Sequence, residues 1–200
     1  MRTAFRLCMV LLAFGLAGCQ TAAPVPKDKF YRLEVAPRVS PARAALKEAI
    51  YVAPLRAEGP YGERAMLYAQ ASQPRELQQY HYHLWSEPPA VLLQEHMRAR
   101  LEAMGLAPRV TDSPAGDAIG YFLNARVLRL EKITDDGSGR AVVSLQFSLQ
   151  RKKPATVLLE RAYTEEEVLK ENTQHGYVIA TEAALRKIYD RLAEDLKSLP

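Results

Sequence analysis

In the pattern of apolar and polar positions along the chain, residues 119–133 and 141–151 are the most strand-like segments. Between them Asp135, Asp136, Gly137, Ser138 and Gly139 give a strong hairpin signal. Residues 157–163 follow Pro154 as a third strand of this group. Earlier, residues 30–35 alternate and end at Pro37, and residues 49–52 read as a strand stopped by Pro54. Residues 40–47 are polar and Ala-rich, a loop or a short helical turn, and Glu58, Gly59, Pro60, Tyr61 and Gly62 form a turn cluster. Residues 64–71 and 77–85 flank Ser72, Gln73 and Pro74, which predicts two strands joined by a hairpin. A short strand is expected near residues 109–111.

Two segments change period. Ala90, Leu93, Met97, Leu101 and Met104 recur at steps of three and four, one apolar stripe of a helix. Ser86 or Glu87 is the expected cap, Pro88 the entry, and Gly105 the stop. A closing helix is expected over residues 177–196, with Val178, Thr181, Leu185, Ile188 and Leu192 on one side. Thr164, Glu165, Glu166 and Glu167 match a capping box and predict a further short helix. Strands interrupted by two one-sided helices indicate an α+β fold, a mostly antiparallel sheet with two main amphipathic helices packed on one face.

The start of the chain has a different character. Arg2 and Arg6 precede an apolar run over residues 7–17. That run is too short to cross a hydrocarbon core of ~30 Å, which takes about 20 residues. A basic start, a short apolar centre and small residues at its end read as an export signal. Leu16, Ala17, Gly18 and Cys19 have the order of a lipobox, in which the Cys19 sulfur forms a thioether to diacylglycerol and cleavage leaves Cys19 as the new first residue. Each buried CH₂ of an acyl chain contributes ~0.8 kcal/mol, so two or three chains hold a protein firmly. Gln20 follows, where an Asp would favour inner-membrane retention, so the outer membrane is expected. The predicted organisation is a signal over 1–18, a lipidated Cys and flexible tether over 19–29, and a domain over 30–200.

Cleavage also alters composition. Loss of Arg2 and Arg6 takes 27 basic residues to 25 against 23 acidic ones, a net charge of +2 in place of +4. Near balance gives no argument for nucleic acid. Cys8 leaves with the signal and Cys19 is acylated, which excludes disulfides, Cys-based zinc sites and a Cys nucleophile.

Candidate chemistry is sparse. His81 and His83 alternate on a strand and, with His96 or His175, could hold zinc, but no Cys or carboxylate sits at ligand spacing, so no metal is expected. Asp135 and Asp136 lack the further oxygens of a calcium loop. Ser138 and Gly139 are not a nucleophile elbow. No phosphate loop, cofactor site or catalytic group is found. Arg126, Arg129 and Lys132, near Arg151, Lys152 and Lys153, read as a solvated strand edge, with contact to anionic head groups or an acidic partner as the other reading. Trp85, the only Trp, followed by Ser86, Glu87 and Pro88, is either a core residue docking the first helix or a partner-facing aromatic. Trp85, His83 and Glu87 are the candidate partner-binding or helix-docking residues.

These residues carry a resemblance. Phe30, Tyr31, Arg32 and Leu33 resemble the opening strand, Ile50 to Leu55 the second strand with its proline, and Tyr82 to Pro88 the turn into the first helix of the ABC-type transport auxiliary lipoprotein family, typified by paraquat-inducible protein C. Leu84 stands where a basic residue often precedes the Trp, and residues 56–62 match only loosely. The resemblance implies a small sheet with helices on one side and a periplasmic accessory protein without chemistry of its own. It further implies work with a mammalian-cell-entry (MCE) domain protein of an ABC lipid transporter, and a homo-oligomer. Other readings are a lipoprotein that itself shields an acyl chain, or one that assembles lipopolysaccharide-export or peptidoglycan-synthase machinery.

Overall fold

The computed structural model describes residues 25–34, 46–115 and 119–199. Cys19, the signal over 1–18 and most of the tether lie outside them. So do Val35, Pro37 and most of the segment 40–47.

The described residues form a nine-stranded sheet and two α-helices. The strands are β1 (Lys29–Tyr31), β2 (Ala49–Val52), β3 (Arg56–Ala57), β4 (Ala65–Gln70), β5 (Gln73–Trp85), β6 (Val110–Thr111), β7 (Ile119–Asp135), β8 (Ser138–Arg151) and β9 (Thr156–Val168). The helices are α1 (Pro89–Ala103) and α2 (Gln174–Lys197), and Gly59–Gly62 makes one 3₁₀ turn. The 17-residue β7 organises the sheet. One of its edges carries β8, which carries β9, both antiparallel. Its other edge serves β2, β3 and β4 in turn, all parallel. β6 then pairs with β2, and β5 and β1 extend outward from β4. The α+β class holds. The long ladders are antiparallel, and five short parallel pairings make the sheet mixed.

The β7–β8 hairpin turns on Asp136 and Gly137, since Asp135 pairs with Ser138. Gly137 has φ +75°, which side chains with a Cβ disfavour, and a Cβ there would meet no neighbour. Gly137→Ala therefore tests backbone strain alone. It should lower stability by about 1 kcal/mol in thermal unfolding, and no measurable loss would show that the turn relaxes without cost.

Both helices bury their stripes in one core with the sheet. Leu93, Met97 and Leu101 of α1, with Met104 at its C-cap, meet Val178, Leu185, Ile188 and Leu192 of α2, over Val143, Leu145, Phe147 and Leu149 of β8. Each large apolar side chain fully buried in this way contributes ~1.5–3 kcal/mol. Gly105, at φ +61°, ends α1 by donating its N–H to the Glu102 carbonyl. After β1 the chain passes over the helical layer. Leu33 is buried, and the Glu34 N–H donates to the Glu182 carboxylate of α2 at 2.6 Å.

Three local expectations are corrected. Residues 164–167 do not start a helix but continue β9, because β8 offers partners as far as Arg140. Their charges find partners instead of a helix dipole: Glu165 with Arg191, Glu166 with Arg140, and Glu167 with Lys187. The first helix is capped neither by Ser86 nor by Glu87. Pro88 is the N-cap and Pro89 the first helical residue, and no side-chain cap is made. Two prolines tolerate this because neither has an N–H to satisfy. Pro74 belongs to β5, not to the turn, which is Ala71 and Ser72. β5 has β4 on one side only at this point, and proline is accepted on such an edge.

Candidate functional site

The least regular part of the sheet is also its most aromatic. Ala65 pairs with Leu84 and Leu67 with Gln79, so β4 advances two residues while β5 advances five. Tyr80, His81, Tyr82 and His83 thus stand opposite Met66 alone and bulge from the ladder. Bulges re-aim side chains and recur beside functional sites. This one gathers rings: Tyr80 lies 4.4 Å from Tyr68 of β4, and His83 lies 5.6 Å from Tyr80 and 5.7 Å from Tyr31 of β1, between centroids. The Tyr31 hydroxyl and His83 Nδ1 share a hydrogen bond of 2.8 Å. The Tyr68 hydroxyl donates to the Gln78 side chain. A surface cleft of about 530 Å³ runs along the bulge, lined by Tyr68 and residues 78–83.

Electrostatics set protonation here. Burial lowers the pKa of His83, and the charges of Lys29 and Lys132 lower it further, so its imidazole is neutral at pH 7. Burial raises the Tyr31 and Tyr80 pKa values, which keeps both hydroxyls protonated donors. Burial also lowers the Lys132 pKa.

The three residues singled out by sequence lie close along the chain but in different surroundings. Trp85 is 1% exposed, and its ring lies 5.9 Å from Tyr177 of α2. Its backbone is clamped by Arg64, whose Nε donates to the Trp85 carbonyl and Nη2 to the Ser86 carbonyl, at 3.1 and 2.7 Å. The same guanidinium stands 5.2 Å from the centre of the exposed Phe30 ring. This geometry makes Trp85 a packing residue at the junction of β5 and α1. His83 belongs to the bulge, and Glu87, two residues after Trp85, is exposed. His81 has Tyr82 as its aromatic neighbour, whereas His83 has Tyr31 and Tyr80. Among the described residues no three His, Cys, Asp or Glu side chains gather as a metal site.

The cationic edge expected around the hairpin divides. Arg126 is exposed and paired with Glu58 at 2.9 Å, and Arg129 pairs with Glu131. Lys132 is not on a solvated edge: it is 3% exposed. Sequence reading missed its burial and missed Tyr31, Tyr68 and Tyr80. The run Tyr80, His81, Tyr82, His83 was the visible signal, and its bulge was not.

Two comparisons bear on the fold. Protein XCC0632 from Xanthomonas campestris is similar with a TM-score of 0.71 at 21% identity, over 82% of this chain and 92% of that one. Hypothetical protein CT253 from Chlamydia trachomatis is similar with a TM-score of 0.52 at 9% identity, over 76% of this chain and 98% of that one. At such identities the likeness concerns fold alone. No curated protein matches the sequence. The model of the family described as ABC-type transport auxiliary lipoprotein component matches residues 31–193, from the last residue of β1 into the last turns of α2. With most of its length matched, including the bulged edge, Trp85 and both helices, the chain belongs to the ABC-type transport auxiliary lipoprotein component family.

Proposed function

We propose that this protein is a non-catalytic accessory component of an MCE/ABC-type intermembrane lipid transport system. In this reading the chain is cut before Cys19 and acylated there. It is held on the periplasmic face of the outer membrane, and it docks an MCE-domain protein as a homo-oligomer. The observation that carries it is the family match over residues 31–193. The packing agrees with an adaptor more than with a shield for an acyl chain. The space between helices and sheet is filled by side chains such as Trp85, Met97, Phe147, Tyr177 and Tyr189. Among the described residues no helix is long and apolar enough to cross a membrane, so anchoring through lipid at Cys19 suits the chain.

The test is a pull-down of the membrane-solubilised full chain, tagged at Pro200 and read by mass spectrometry, with intact-mass analysis of the N-terminus. An MCE-domain protein in the eluate and acyl mass on Cys19 are expected. Stable recovery of lipopolysaccharide-export or cell-wall machinery instead would overturn the reading.

A further inference from the structure

Apolar side chains share an exposed side of the β1–β5 pair, next to the point where the chain enters the domain. Phe30 is 57% exposed and Tyr82 38%. Phe30 stands in register with Leu84, which is half-buried. Tyr31 and Trp85, one step on, turn to the core, so Phe30 and Leu84 face the other way. The hydrogen bond to the Tyr31 hydroxyl keeps His83 on the core-facing side, which leaves Tyr82 beside Leu84. Single exposed apolar residues are ordinary, whereas a contiguous group marks a contact surface. The Phe30 ring is also held in place. Arg64 is anchored by the carbonyls of Trp85 and Ser86, and its guanidinium lies over the ring, 5.2 Å from the centre.

Chain length says what meets this patch. Its contact with a membrane rests on the acylation of Cys19 proposed above. Residues 20–29 reach at most about 36 Å when fully extended, and a flexible chain of that length averages about 16–19 Å end to end. A domain over 30–200 has a radius of gyration of about 15 Å, a body about 40 Å across. The tether is on average shorter than the domain is wide, so the surface around β1 is the one kept against the lipid. Confinement at that distance corresponds to an effective concentration of order millimolar, so a contact too weak to hold a free protein is populated in a tethered one. Lys27, Lys29 and Arg64 flank the rings, and Asp28 and Glu63 offset them. The attraction is therefore apolar rather than ionic, and aromatic rings settle at the boundary of head groups and acyl chains.

We propose that the patch of Phe30, Tyr82 and Leu84 inserts into the interfacial layer of the phospholipid membrane that carries the Cys19 anchor. The acyl chains hold the protein, and the patch orients it. The β1–β5 edge of the sheet lies on the lipid, and the opposite edge, β9, points away.

The experiment reconstitutes the full-length acylated protein in vesicles of phosphatidylethanolamine and phosphatidylglycerol, with and without bromine on the acyl chains, and reads tryptophan emission. Wild type reports Trp85 alone, which is buried and should be indifferent to bromine. Tyr82→Trp and, independently, Phe30→Trp should each lose emission in brominated vesicles. Val157→Trp on β9, where the native side chain is 54% exposed, should lose none. Loss confined to the two patch variants supports the proposal. Intact mass and flotation of the vesicles read the anchor separately. A chain without acyl mass that fails to float overturns the acylation reading and the patch with it. A chain that floats with both patch variants unquenched, or with Val157→Trp quenched equally, overturns the patch alone. Phe30 and Tyr82 would then face a second copy of the chain or a protein partner.

Discussion

Trp85→Ala is expected to destabilise the protein by about 3–5 kcal/mol, the range for deleting a buried Trp or Phe. The site cannot easily collapse. The indole is held from below by the sheet and from above by Tyr177. The backbone on either side is pinned: Trp85 N–H donates to the Arg64 carbonyl at 2.7 Å, and Ser86 N–H to the Tyr31 carbonyl at 2.7 Å. Typical stabilities are about 5–15 kcal/mol, so the loss removes a large share. Urea denaturation should show the midpoint fall with little change in slope, and Trp85→Phe should recover much of the loss by keeping a ring against Tyr177. A loss under about 1 kcal/mol would return Trp85 to the class of partner-facing aromatics.

The second large effect concerns the pair that ties the two helices together. Arg100, in the last turn of α1, is 2% exposed and donates through Nη2 to the Asp190 carboxylate of α2. Its Nε and Nη1 are buried without a partner. Asp190→Ala leaves a buried guanidinium uncompensated and should cost about 3–5 kcal/mol. Arg100→Met removes the charge, keeps volume, and should be neutral or stabilising. The double variant Arg100→Met/Asp190→Ala should therefore recover most of what Asp190→Ala loses. Equal losses from both single variants would mean that the pair itself stabilises the helix contact and that desolvation is minor.

Much of the fold is legible in the order of side chains. β7, β8 and both helices announce themselves by apolar positions at the strand or helix period, β2 by a short apolar run stopped by Pro54, and Asp136 with Gly137 fixes the hairpin. Failures occur where a residue count, not a residue type, decides the outcome. Four residues opposite one at the β5 bulge leave no mark on the Tyr, His, Tyr, His alternation. A single irregular step after Val127 exchanges the faces of all later β7 positions, and so takes Lys132 inside. Thr164 and Glu167 have the spacing of a helix cap, yet β8 extends far enough to hold them in a ladder. A long partner strand outweighs a local cap. The candidate site divides in the same way. The sequence singles out Trp85 and His83, but the group around His83 is assembled from β1, β4 and β7, whose registers no local pattern contains.

The placement of β1 has a mechanical consequence. It follows directly on residues 25–28 and lies parallel to β5, with Lys29, Phe30 and Tyr31 in register with His83, Leu84 and Trp85. Tension arriving from an anchor at Cys19, as proposed, acts along both strands. Their hydrogen bonds are then loaded together in shear, whereas a hairpin pulled at its open end would unzip one rung at a time. The Tyr31–His83 bond shares that load, and the force passes through β5 into β4 and β7. Pulling on the membrane side thus strains the sheet along its stiff direction and spares the interlayer packing of α1 and α2.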